Sequence, residues 1–461
     1  MNPRPAFSVT GQRVVVVGAA RSGVAAAELL VRRGASVVLS DLRDRIPDDA
    51  RLLQAGVQLQ LGRHARETFA AADLIVLSPG VPSNQPAIEH ARRAGVPVMG
   101  ELELASRWLR GRIVAITGTK GKSTTTTLAG RMLEAGGHRV LVGGNIGLAL
   151  SAQVDDSTED TIHVVEASSF QLESTETFHP WIAVLLNFSP DHLDRHADVA
   201  EYAAAKARIF ANQDPSDWAV LNADDEPSLA LAREMRARRV HFALREALDE
   251  GFVIAGDAIV RRSRNQDEVL VPLSAVKLLG RHLLADVLAA AAVASIAGVD
   301  AAAMTRAVET FKGLEHALEP LGEIAGVRFV NDSKATNVDA ALRAIQSFED
   351  GLVVILGGRF KGGNFADLRD ALVARHGVVV AIGEAAPLVH EALGESVRVV
   401  DAPDMSAAVR TAFASAAPGD TVVLAPACAS FDMFRDYAER GRVFKQEVTR
   451  LADEWTGMRE Q

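Results

Sequence analysis

Residues 118–124, Gly-Thr-Lys-Gly-Lys-Ser-Thr, hold the side chains and the backbone freedom that grip a nucleotide's phosphates. Gly118 and Gly121 let backbone N–H groups turn inward onto phosphate oxygens, and a helix starting there adds its positive end. Lys122 can neutralise β/γ-phosphate charge, and the Ser123 hydroxyl can bind Mg²⁺. The usual loop is G-x-x-x-x-G-K-[ST]. Here Ile116 stands where the first glycine belongs, so the loop is a shortened form. A bare glycine turn is the competing reading; the strand before it, GKST in place and the helix after it favour phosphate binding.

Further residues could serve such a site. Glu166 ends the apolar run HVVE, where a carboxylate can hold Mg²⁺ or its water shell. SPDHLDRH (189–196) packs Asp191, His192, Asp194 and His196 together, a set better suited to Mg²⁺ or Mn²⁺ than to a zinc cage. Lys206, in EYAAAKARIF, reads locally as a solvated lysine on an amphipathic helix. NDSKATN (331–337) places Asp332, Lys334 and Thr336 where a strand meets a helix; capping by Asp332 or Ser333 is the alternative use. LGGRFKGGNF carries Lys361 and APACASFDMF carries Ser430, so three strand ends of one region offer Lys334, Thr336, Lys361 and Ser430 to a small carboxylate. An earlier glycine turn, Gly18 to Gly23 with Asp41 closing the next strand, resembles a dinucleotide fingerprint. Its middle glycine is replaced by Ala20, leaving a nucleotide or nucleotide-sugar site, or a plain turn, ahead of NAD.

These residues need strands to hold them. RVVVVG (13–18), ASVVLSD (35–41) and DLIVLSPG (73–80) are apolar runs without alternation, as in buried parallel strands. RIVAIT (112–117), HVVEASS (163–169), WIAVLLNFS (181–189) and DWAVLNADD (217–225) form a second series, followed by a β-rich stretch over 240–275 and an Ala-rich helix at 283–297. VRFVND (327–332), LVVILGG (352–358), VVVAIG (378–383) and DTVVLAPA (420–427) form a third. Ligands of open α/β sheets gather at the carboxyl ends of strands, where the candidate residues stand. The expected organisation is three α/β domains, 1–106, 107–310 and 311–461.

The chain has 461 residues, 48% of them apolar, and a formal net charge of −10. That length suits about three domains, and that charge argues against a nucleic-acid partner. With Cys428 alone there is no internal disulfide and no cysteine-built zinc site. No apolar run reaches membrane-spanning length, and the N-terminus lacks a signal-peptide pattern, so a cytoplasmic protein is expected.

GTKGKSTTT, EASSFQLE, SPDHLDRH, NDSKATN and PACASFD, in that order, resemble the Mur ligases of bacterial cell-wall synthesis, over nearly the whole chain. The segments SSFQLE and DSKATN are most similar to the members that add D-glutamate. The resemblance implies a Rossmann-like N-terminal domain for a UDP-sugar, a central P-loop mononucleotide-binding domain for ATP, and a Rossmann-like C-terminal domain for the amino acid. The reaction would be ATP-dependent joining of D-glutamate to UDP-N-acetylmuramoyl-L-alanine through an acyl phosphate, by a monomer with Mg²⁺ or Mn²⁺. A related ligase with another amino acid or a folate acceptor is the nearest alternative. A NAD-dependent oxidoreductase and a nucleotide-sugar binder without turnover are the more distant ones.

By the same resemblance Asp41, Arg43, Ser78, Pro79, Gly80 and Asn145 would meet the UDP-sugar. Gly118, Thr119, Lys120, Gly121, Lys122, Ser123, Thr124 and Asp332 would meet ATP. Ser123, Glu166, His192 and Lys206 would serve the metal, with Lys206 carbamylated. Thr336, Lys361, Ser430 and Tyr437 would surround D-glutamate, and Lys122, His192, Lys206 and Lys334 would be catalytic. The chain departs from the family pattern at Leu283, Asp286, Ala317 and Arg359, with Arg281 or Arg359 as replacement candidates for a phosphate contact.

Overall fold

The computed structural model describes residues 7–47, 49–191, 195–264, 266–277 and 282–459. The chain divides into two compact units: Met1–Val276 with Leu283–Thr310, and Lys277–His282 with Phe311–Gln461.

The first unit holds two sheets. One is parallel, with strand order Gln58–Leu61, Ser36–Asp41, Arg13–Val17, Leu74–Leu77, Val98–Gly100. Its central strand buries Val14 to Val17 completely, which is why the run has no polar alternation. Helix Arg21–Arg32 covers it with Gly23, Ala26, Ala27 and Leu30, a helical stripe of small and apolar residues.

The other sheet has nine strands. Parallel strands run in the order Arg139–Gly144, Thr161–Glu166, Arg112–Thr117, Ile182–Leu185, Trp218–Asn222, Arg238–Ala243 and Gly251–Ala255. Two antiparallel strands, Ala258–Ser263 and Gln266–Pro272, finish the edge. The phosphate-loop strand Arg112–Thr117 thus lies between the strand ending at Glu166 and the strand leading to SPDHLDRH. The Ala-rich helix His282–Ile296 buries every residue from Val287 to Ala294, so it is apolar all round because it is enclosed, not because it spans lipid. Among the described residues no helix is long and apolar enough to cross a membrane.

Buried carboxylates fasten the two sheets together. Glu103 accepts hydrogen bonds from the backbone N–H groups of Glu176, Thr177 and Phe178 and from Thr177 Oγ1. Glu101 accepts from Ser151 N at 2.6 Å. The bonds to Glu103, which lower its pKa, are charge-assisted and so roughly twice as strong as neutral ones.

The second unit has a six-stranded sheet in the order Glu319–Ile324, Val327–Asn331, Thr421–Leu424, Leu352–Gly357, Val378–Ile382, Arg398–Asp401. Only the first pairing is antiparallel. The strands leading to NDSKATN, PACASFD and GGRFKGG are therefore adjacent.

The structure departs from the sequence reading in places. The segment 97–105 makes a further strand, Val98–Gly100, and helix Glu101–Ser106. Strands Gln58–Leu61, Arg139–Gly144, Glu319–Ile324 and Arg398–Asp401 escaped notice, since each lies at a sheet edge and its half-exposed residues break the apolar run. The cap after NDSKATN is Asn337, whose side chain accepts from Ala340 N; neither Asp332 nor Ser333 does this.

Candidate active site

The loop 118–121 is pinned from the neighbouring strand end. Gly118 has φ +155° and Gly121 φ +82°, left-handed conformations that favour glycine. A side chain at Gly121 would also collide with the Asp286 carboxylate, which burial holds well above the usual carboxylate range. Asp286 thus fills the space beneath the turn. Asn187 braces the loop from the other side: its side-chain carbonyl accepts from Lys120 N at 2.9 Å, its Nδ2 donates to Lys120 O, and its backbone carbonyl accepts from Thr119 N. Asn187 was not singled out in the sequence, although an amide directly after the strand 182–185 was a usable signal.

Two lysines meet at one carbonyl. Lys122 Nζ donates to Gly118 O at 3.0 Å and to Thr119 O at 3.0 Å. Lys206 Nζ donates to the same Gly118 O at 2.8 Å. The local reading of Lys206 as a solvated lysine is overturned: it is 2% exposed. It lies over the Tyr202 ring, 4.8 Å from the centroid, one helical turn away on helix Val199–Ala207. Burial, with the Lys122 ammonium next in weight, pushes Lys206 down to about 7. Tyr202 Oη in turn lies 3.2 Å from Thr119 Oγ1. Tyr202 also went unremarked; an aromatic four residues before the lysine was its signal.

Glu166 is buried at the end of the adjacent strand. Its Oε1 accepts from Asn145 Nδ2 at 2.6 Å, while Oε2 is buried without a hydrogen-bond partner among the described residues. A buried carboxylate oxygen left without a donor is costly unless a cation or water completes it. Ser123 is half-buried in the first turn of helix Lys122–Ala135, with Thr124 beside it. His192 and Asp194 lie outside the described residues, as does Arg281. His196 belongs to the packing: it is 2% exposed, its Nε2 is 3.0 Å from Ser169 Oγ, and its ring lies against Phe170 and Tyr202.

The earlier glycine turn is arranged differently. Asp41 Oδ2 accepts from Ala19 N at 2.6 Å, and both its oxygens accept from the Arg43 guanidinium. Those bonds hold its carboxyl well below the usual carboxylate range. A side chain at Gly23 would collide with the Gly18 carbonyl oxygen, so turn and helix are in direct contact. Beside this turn lies a cavity of about 150 Å³ lined by Ser78, Pro79, Gly80 and Asn145, together with Arg21 and Ser22. Four of the six residues expected at the UDP-sugar thus come together. Asp41 and Arg43 do not line the cavity and bind each other.

In the second unit, Lys334 and Lys361 are exposed, Thr336 is half-buried, Ser430 is buried and Tyr437 is exposed. They follow three neighbouring strand ends. Asp332 is buried and accepts from Leu318 N at 3.2 Å; desolvation raises it to about 7. Arg359, offered as a phosphate contact, is instead paired with Glu384 at 3.0 Å on the surface. His316, beside Ala317, is buried with φ +65°, and its Nδ1 is 2.9 Å from Asn331 Nδ2. The Cys428 thiol is buried and pushed up to about 12, which leaves it unreactive.

Three family models match this chain: a Mur ligase MurD-like N-terminal domain over residues 12–100, a Mur ligase middle domain over 116–294, and a Mur ligase glutamate ligase domain over 318–428. A curated relative from Koribacter versatilis is 44% identical over 454 residues, covering 97% of this chain and 99% of its own. One from Acidobacterium capsulatum is 46% identical over 447 residues, covering 96% and 97%. Both are named UDP-N-acetylmuramoylalanine--D-glutamate ligase. Among solved structures, the UDP-N-acetylmuramate-alanine ligase MurC of Thermotoga maritima has the same fold, with a TM-score of 0.61 at 19% identity over 95% of this chain and 99% of that one. MurF of Acinetobacter baumannii gives 0.58 at 15% identity, over 95% and 92%.

Proposed function

Since the chain belongs to the Mur ligase family, we propose that it joins D-glutamate to UDP-N-acetylmuramoyl-L-alanine at the expense of ATP, making a peptidoglycan precursor. The observation that carries the reading at the level of chemistry is the meeting of Lys122 and Lys206 at Gly118 O. The Lys122 ammonium, held by Gly118 O and Thr119 O, brings positive charge to the loop, suited to a phosphate.

The reaction needs such a field. A carboxylate is a poor acylating agent, because its leaving group would be oxide. Attack of the L-alanyl carboxylate oxygen on the γ-phosphorus forms an acyl phosphate and releases ADP. The amine of D-glutamate then adds to the acyl carbon, loses a proton and expels phosphate. The first step brings two anions together. Lys122 and the loop N–H groups at the start of helix Lys122–Ala135 offset that repulsion and steady charge on the transferring phosphoryl group. Asn187 keeps the N–H groups aimed by holding Thr119 and Lys120.

The donors here fit a hard divalent ion. Glu166 offers a buried oxygen that has no hydrogen-bond partner among the described residues, and Ser123 a hydroxyl. When bound, Mg²⁺ or Mn²⁺ would neutralise phosphate charge. Lys206 is held where its neutral amine is well populated near pH 7, the form able to attack CO₂ and lose a proton, becoming a carbamate with oxygen donors. His192 is assigned to the same centre by its motif alone.

The cavity at Ser78, Pro79, Gly80 and Asn145 is assigned to the diphosphate side of the UDP-sugar. Lys334, Thr336, Lys361 and Ser430, with Tyr437, are assigned to the amino acid. The corresponding domains are 1–106, 107–310 and 311–461. Phosphate release by the purified protein is expected only when ATP, UDP-N-acetylmuramoyl-L-alanine and D-glutamate are all present. Release that ignores D-glutamate, or proceeds equally with L-glutamate, would remove this assignment.

A further inference from the structure

Arg440 is 1% exposed, in the first turn of helix Tyr437–Arg459. A cation there faces the positive end of the helix dipole, where it is disfavoured. Among the described residues, no carboxylate lies within ion-pair distance of it. Its guanidinium instead donates from Nε to Ser333 Oγ at 3.0 Å, from one terminal nitrogen to Ser333 O at 2.9 Å, and from the other to Cys428 O at 3.1 Å. The Ser333 hydroxyl in turn donates a hydrogen bond to Tyr437 O at 2.7 Å. Gly358 completes the ring: a Cβ there would lie 3.3 Å from the Arg440 nitrogen that serves Cys428, and against Ala429 O. The third turn is tied in through the reciprocal backbone bonds of Arg359 and Ala429, at 2.9 and 3.0 Å.

One side chain therefore bonds two of the three strand ends at which the amino-acid residues sit and lies beside the third. Ser333 precedes Lys334 and Thr336, Gly358 precedes Lys361, and Cys428 precedes Ser430. A buried cation is a large cost, met here by hydroxyl and carbonyl acceptors and by the Asp432 carboxylate nearby. We infer that Arg440 is the positioning residue of the amino-acid pocket: it locks the three turns in register. Although burial lowers it to about 10, it stays cationic at neutral pH. A planar fork with five donors can bond two turns at once, whereas an ammonium on a flexible stem cannot hold the same three acceptors.

This inference rests on the D-glutamate reading above, and the test separates the two. Michaelis constants for ATP, UDP-N-acetylmuramoyl-L-alanine and D-glutamate are measured for the unaltered enzyme, Arg440→Lys and Ser333→Ala, with circular dichroism to confirm folding. Arg440→Lys is expected to raise KM for D-glutamate about tenfold or more, with kcat within about threefold and the other two KM values within about twofold. Ser333→Ala, which keeps the cation and removes one acceptor, is expected to show the same split, smaller, and it decides the matter if Arg440→Lys does not fold. A D-glutamate KM within about twofold of the unaltered enzyme in the folded variants, or three KM values rising together, would overturn the inference. If the unaltered enzyme ignores D-glutamate, the D-glutamate reading fails; the same split, measured with whichever amino acid supports turnover, then decides Arg440. Turnover with no amino acid overturns both.

Discussion

The first unit contains two glycine turns built to the same pattern: a buried parallel strand, a turn with positive-φ glycine, then a helix. At Gly18–Gly23 the pattern is internally satisfied. Asp41 takes the Ala19 N–H and the Arg43 guanidinium, and Gly23 leaves no gap between turn and helix. At Gly118–Gly121 two lysines converge on a loop carbonyl, the Asp286 carboxylate lies beneath the turn, and among the described residues one buried oxygen of Glu166 on the adjacent strand has no hydrogen-bond partner. The difference shows that a glycine turn reports backbone freedom only. What separates the two turns is the charge gathered at each: an acid paired with arginine at the first, two lysines at the second.

The sharpest way to break this contrast is Lys122→Ala. If the second turn serves charge rather than shape, D-glutamate-dependent phosphate release should fall by about 10³-fold or more while the fold survives. A loss of under about tenfold would mean that Lys122 does not face the reacting phosphate. In the first turn shape should dominate instead. Gly23→Ala forces turn and helix apart and should cost about 3 kcal/mol, read from chemical denaturation. An unchanged midpoint would show that the two segments are not locked.

The smallest expected effect is that of Asp41→Asn. Its partner Arg43 is half exposed, so after screening the charge should be worth about 1 kcal/mol. Because folding lowers the Asp41 pKa, this stabilisation is present above the unfolded-state value near pH 4 and is lost as pH falls toward the folded value. The acid limb of the stability profile should therefore flatten in the variant, and a profile that superimposes on the parent's would contradict the role given to Asp41.

Much of the framework was legible beforehand. RVVVV, RIVAIT and LVVILG are buried on both faces, so each is an unbroken apolar word bounded by a turn, and the candidate residues stand where those words end. Edge strands such as Gln58–Leu61 and Arg398–Asp401 were not legible, because one-sided burial leaves too few apolar residues in a short segment. The site divided in the same way. Lys122 and Glu166 announced themselves through local context. Lys206 did not, since its helix carries alanines that fit a surface as well as an interior, and only the strand end at Gly118 and the Tyr202 ring enclose it. The partners of Asp332 and Arg359, Leu318 N and Glu384, come from other segments and were not readable locally.

By itself the order of residues determined which strands are parallel and buried, where glycine must bend the chain, and which motifs succeed one another along it. Those properties depend on neighbours within a few positions, where periodicity and backbone sterics act. The folded chain alone decided which charges lose their water and which partners they then find. Lys206 became a depressed amine and Arg440 a buried cation held by backbone carbonyls and a hydroxyl, because desolvation depends on atoms brought together from distant segments.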